Sequence, residues 1–85
     1  MLFQETESIE LKQDYSDSIR KDIIAFANTN GGTIYVGVRD DGEVIGVKSP
    51  DQMIQRIGNM VRDSIKPDVT MFVHYDPEVA DGKKI

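Results

Sequence analysis

The sequence has no cysteine, and that absence excludes a disulfide framework, a thiolate zinc site and a thiol nucleophile. Histidine occurs once, at His74, with no second imidazole or thiol to join it in a ligand set, which suits an ordinary strand residue. No apolar run approaches the ~18 residues that a membrane span needs. The opening Met1-Leu-Phe-Gln-Glu lacks the basic-then-apolar layout of a secretory signal. There is neither a Gly-Lys-Ser/Thr phosphate loop nor a Gly-x-Ser-x-Gly nucleophile elbow. Positive charge is also short: 10 basic residues stand against 15 acidic ones, a net of −5. That is the wrong sign for binding a polyanion by bulk attraction alone. A cytoplasmic domain with no membrane partner is the expectation.

The 85 residues suffice for one small domain, residues 1–85. A chain of this size buries only about 60–65% of the surface exposed on unfolding, so the core is modest. Charge is unevenly spread. Residues 1–17 carry a net −4, residues 18–66 a net +1 and residues 67–85 a net −2. A polyanion is best met by the middle of the chain, a cation by the amino-terminal segment.

Ser8–Gln13 alternates polar and apolar residues and reads as a strand with Ile9 and Leu11 inward. Ser16 or Asp17 can then cap a helix over roughly 17–29, with Ile19, Ile23, Phe26 and Ala27 facing the core and Arg20 and Lys21 facing water. Asn30-Gly31-Gly32 ends that helix, since glycine accepts a left-handed terminus. The β-branched run Thr33–Val38 is a strand, and Asp41-Gly42 leads into a second one, Glu43–Val47, as a hairpin. Ser49, Pro50 and Gln52 carry the signature of a capped helix start. Met53, Ile54, Ile57, Met60, Val61 and Ile65 form its apolar side, and Gln55, Asn59, Arg62 and Lys66 a polar stripe. Lys66-Pro67-Asp68 breaks the helix, Val69–Tyr75 reads as a further strand, and Asp81-Gly82 as another hairpin turn. The expected fold is α+β in the order β-α-β-β-α-β: a mixed, largely antiparallel sheet with two packed helices and a truncated C-terminal strand. An Asp-Gly turn so close to Ile85 suggests the amino-terminal fragment of a longer protein.

Four blocks form a recognisable pattern: Glu5-Thr-Glu-Ser-Ile-Glu10-Leu-Lys12, Ile24-Ala-Phe-Ala-Asn-Thr-Asn-Gly-Gly32, Val36-Gly-Val-Arg-Asp-Asp-Gly42 and Val44-Ile-Gly-Val47. Together they resemble the Schlafen/AlbA-like domain, a family described as DNA-binding. The resemblance runs from about Glu5 to Pro67, with Ala25–Gly32 its most specific block. Bacterial and archaeal members open transcriptional-regulator-like proteins, so the resemblance implies a nucleic-acid-binding module. The candidate contacts are Arg20, Lys21, Asn28, Arg39, Arg56, Arg62 and Lys66, which can neutralise or hydrogen-bond phosphates. Vertebrate members cleave transfer RNA with a divalent metal and three carboxylates, whose positions correspond to Glu5, Glu10 and Asp40 here. All three are acidic, as a Mg²⁺ or Mn²⁺ site requires.

The residues themselves leave plainer readings open. Residues five apart on a straight strand point to opposite faces, so Glu5 and Glu10 converge only if the chain bends near Glu7. Otherwise Glu5 is a solvated end residue and Asp40 a turn former. The glycines at 31 and 32 close a helix rather than open one, so they present carbonyls, not free N–H groups, to an anion. Basic residues interleaved with Asp22, Asp40, Asp41 and Asp63 are often merely solvated. A dimerisation or protein-interaction module is therefore the third functional expectation. An exposed edge at Val69–Tyr75 would favour a homodimer or higher oligomer.

Overall fold

In a computed structural model, the structure describes residues 3–64, 73–80 and 82–85. Strand β1 spans Ile9–Lys12, helix α1 Ser18–Ala27, strand β2 Thr33–Val36 and helix α2 Pro50–Ser64; β3 at Val79–Ala80 and β4 at Lys83–Lys84 are two short strands.

β1 and β2 pair in parallel, Ile9 opposite Thr33 through Lys12 opposite Val36. Ser8 O and Lys12 O extend the ladder by accepting from Thr33 N (2.8 Å) and Gly37 N (2.7 Å). The expectation of a largely antiparallel sheet is corrected here. Because α1 carries the chain back to the starting edge, the two strands must run the same way. The period-2 register decides what each face holds. Ile34 and Val36 pack with Ile19 and Ile23 of α1 and Ile57 and Val61 of α2. On the opposite face, Leu11 joins Val38 and Val44, with Phe3, Ile9 and Tyr35 packed around them. Ala27 is exposed rather than inward.

α2 starts as its residues dictate: Ser49 Oγ accepts from Gln52 N at 3.4 Å, Ser49 O from Met53 N at 3.0 Å, and Pro50 opens the first turn. α1 is capped differently. Asp17 makes no side-chain cap bond, and the first turn rests on Ser16 O and Asp17 O accepting from Ile19 N and Arg20 N. At the other end, the Phe26 carbonyl collects Thr29 N, Gly31 N and Thr29 Oγ1, each at 3.1 Å. The donors of this glycine-containing loop are thus turned onto its own helix.

The reversal at residues 39–42 is present, with Arg39 N donating to Glu43 O and Gly42 N to Arg39 O, both at 2.8 Å. Its second arm is not a regular strand, however. Val38 and Val44 form an isolated antiparallel bridge, and Gly37 O then accepts from both Ile45 N and Gly46 N. Gly37 and Gly46 have φ of 101° and 82°, and a Cβ on Gly37 would come within 3.0 Å of the Gly46 backbone. This bulge interrupts the ladder that Glu43–Val47 would otherwise extend. On either side of the turn expected at Asp81-Gly82, β3 and β4 pair antiparallel, and Asp81 itself lies outside the described residues. Val73–Tyr75 lie outside any strand, while residues 69–72 of that expected strand lie outside the described residues.

Candidate functional site

The amino-terminal segment bends where convergence of the two glutamates requires it. Thr6 N donates to Ile9 O at 3.0 Å and Ile9 N to Thr6 O at 3.4 Å, so Glu7 and Ser8 form a two-residue reversal. Glu5 and Glu10 lie one step beyond that bridge, close enough for each carboxyl group to feel the other's charge. Glu5 Oε1 also accepts from Leu11 N at 3.3 Å, along the outer edge of β1. Partial burial raises the Glu10 pKa above its usual value, with the carboxylates of Asp22 and then Glu5 adding to the effect and Lys12 opposing it.

Because Glu10 and Lys12 alternate with Ile9 and Leu11, they share the sheet face covered by α1. There Lys12 Nζ donates to Ser18 Oγ at 2.8 Å and pairs with Asp22 Oδ2 at 3.2 Å and Glu10 Oε1 at 3.7 Å. Asp22 Oδ2 is closed off from solvent and has no well-directed hydrogen bond, so its partner is the lysine charge. Neither Lys12 nor Asp22 was singled out as a site residue from sequence. Two signals were available: Glu10 and Lys12 sit two apart on one strand, and Ser18 and Asp22 four apart on one helix.

Asp40 is exposed on the 39–42 turn and forms no ion pair or side-chain hydrogen bond with another described residue. Among the described residues no three His, Cys, Asp or Glu side chains are grouped so as to hold a metal ion. The donor set in this arrangement does not fit Mg²⁺ or Mn²⁺. Glu5 is engaged by the Leu11 amide, and an ammonium already answers the charge of Glu10 and Asp22.

The expected nucleic-acid contacts that lie among the described residues are on the surface. Arg20, Lys21 and Asn28 are exposed on or just after α1. Arg39 pairs with Asp41 at 3.9 Å, both half or more exposed, a contact of little energetic weight. The Arg56 guanidinium lies 3.9 Å above the Tyr15 ring, which orients it without consuming its N–H donors. Arg62 hydrogen-bonds Asn59 Oδ1 one turn away. It also faces the Tyr75 hydroxyl, whose pKa burial pushes up and Arg62 pulls down. Lys66 lies outside the described residues. His74 is exposed, as an ordinary surface residue would be.

A parallel β-α-β opening with converging glutamates, followed by a glycine-marked reversal, is the frame on which the four sequence blocks sit. The Schlafen, AlbA_2 family model matches residues 5–85. The chain belongs to that family. No solved structure matches it. Membership in the Schlafen, AlbA_2 family is consistent with nucleic-acid binding. Among the described residues no helix is long and apolar enough to cross a membrane.

Proposed function

We propose that this chain is a nucleic-acid-binding module, directed to DNA, within a longer cytoplasmic transcriptional regulator. The observation that carries the reading is the Schlafen, AlbA_2 match over residues 5–85. Arg20, Lys21, Arg39, Arg56, Arg62 and Lys66 supply the cations and Asn28 a neutral donor. Support comes from the exposure of Arg20, Lys21, Asn28, Arg39, Arg56 and Arg62. The family placement outweighs the net −5, because contact depends on local rather than total charge. The module works as a homodimer or higher oligomer, since two weak patches on one scaffold bind far better than one.

Gel-shift titration of duplex DNA at two salt concentrations tests this. Retention that weakens steeply with salt is expected, with the slope falling by about two in Arg20→Ala/Lys21→Ala. Absence of retention at low salt refutes the reading. Light scattering on the eluting peak tests the oligomer.

One observation favours a second reading, a metal-dependent ribonuclease core on Glu5, Glu10 and Asp40: the convergence of Glu5 and Glu10. The isolated position of Asp40 counts against it. Transfer RNA incubated with Mn²⁺ and wild-type or Glu10→Ala protein decides, and equal background cleavage in both removes it.

A further inference from the structure

The oxygens at the β1–α1 junction are arranged around one ammonium group. Ser18 Oγ, Asp22 Oδ2 and Glu10 Oε1 lie 2.8, 3.2 and 3.7 Å from Lys12 Nζ. Ser18 Oγ takes one of the ammonium's donors as a hydrogen bond, and the two carboxylates answer its charge. Only 18% of the Lys12 side chain and 22% of the Asp22 side chain reach solvent. The Asp22 oxygen nearest the lysine is itself sealed. A carboxylate oxygen kept from water in this way needs a compensating charge, and Lys12 is the cation beside it.

A divalent ion would ask something different of the same residues. It would need Glu5 and Glu10 ionised together and turned onto it. Here Glu5 accepts from the Leu11 amide, Glu10 leans toward Lys12, and Asp40 stands on a separate turn.

We infer that the Lys12 ammonium is the resident cation of this cluster, clamping β1 to α1 where the family resemblance would place Mg²⁺ or Mn²⁺, and that the chain folds without a divalent ion. The inference is independent of the nucleic-acid reading, and its failure would leave that reading intact.

The test follows the 85-residue chain by thermal unfolding and by the electron paramagnetic resonance signal of free Mn²⁺. Wild type is expected to leave that signal undiminished and to keep the same melting midpoint with and without millimolar Mn²⁺. Lys12→Met, which retains the apolar stem and removes the charge, is expected to melt several degrees lower. One Mn²⁺ bound per wild-type chain and lost in Glu10→Gln overturns the inference, as does a Lys12→Met midpoint equal to wild type. Should Lys12→Met fail to fold, Asp22→Asn and Ser18→Ala carry the test. Removing the charged partner is expected to lower the midpoint more than removing the hydroxyl, and the reverse order overturns the clamp.

Discussion

Lys12 and Arg56 are both cations near the start of α1, yet they sit in opposite settings. Lys12 is enclosed by oxygens from β1 and α1, whereas Arg56 lies on the face of Tyr15 at an exposed site. One charge fastens the chain to itself, and the other rests on an aromatic face at the surface. A count of basic residues merges the two. The useful division is between cations already answered by internal carboxylates and those held only by an aromatic face or by nothing.

The largest effect that would break this comparison is at Gly42. Its φ of 91° suits glycine, and a Cβ there would collide with the Phe3 carbonyl oxygen. Gly42→Ala is expected to cost about 2–3 kcal/mol in urea unfolding and to expose the amino-terminal arm to protease. A wild-type melt would show that the arm does not depend on that approach. Lys12→Met comes next, at about 1–2 kcal/mol, below the full cost of unpairing a buried charge because the site is partly wet. Gly58→Ala should act in the other direction. Among the described residues the added methyl meets Arg62 at 3.5 Å and the Tyr75 hydroxyl at 3.9 Å, and alanine is the better helix former, so a gain of about 0.5–1 kcal/mol is expected. Loss of stability there would mean that α2 is packed more tightly than those distances indicate. Arg20→Ala/Lys21→Ala should change stability by less than about 0.5 kcal/mol while weakening DNA retention, which separates outward charges from fastening ones.

The smallest effect is a pH dependence. The folded protein raises the Glu10 pKa, so it favours the protonated form more than the unfolded chain does. That contribution is fully present below the ordinary value of 4.5 and is lost as pH rises through the raised folded value. Glu10→Gln mimics the protonated state, so its stability relative to wild type should improve between pH 4 and pH 7 in parallel urea titrations. A Glu10→Gln stability that falls relative to wild type as pH rises would mean that the pairing with Lys12 outweighs burial and the neighbouring carboxylates.

Local signals were legible wherever local chemistry decides the outcome. Ser49-Pro50-Asp51-Gln52 specifies a helix start through bonds within four residues, and α2 begins there. The bend that joins Glu5 to Glu10 was identified from strand geometry as the condition for their convergence, and the chain meets it at Glu7 and Ser8. Strand direction was not legible in the same way, because it depends on where α1 deposits the chain rather than on the composition of β1 or β2. Nor was the break in Glu43–Val47, which arises from two glycines nine positions apart facing each other across a bulge. The Lys12–Asp22 pair was missed because it crosses from a strand to a helix, and each residue alone looks like a solvated charge.

The stretch from Gly37 to Val47 receives both ends of the chain. Phe3 N reaches Gly42 O at 3.3 Å, and Val47 N donates to Lys84 O at 2.8 Å. Two segments about eighty positions apart in sequence are thereby moored to one short span, so neither can detach without loosening bonds to the same anchor. Amide exchange at Phe3 and at Val47 should therefore report a shared opening event, with a substitution at one mooring accelerating exchange at the other.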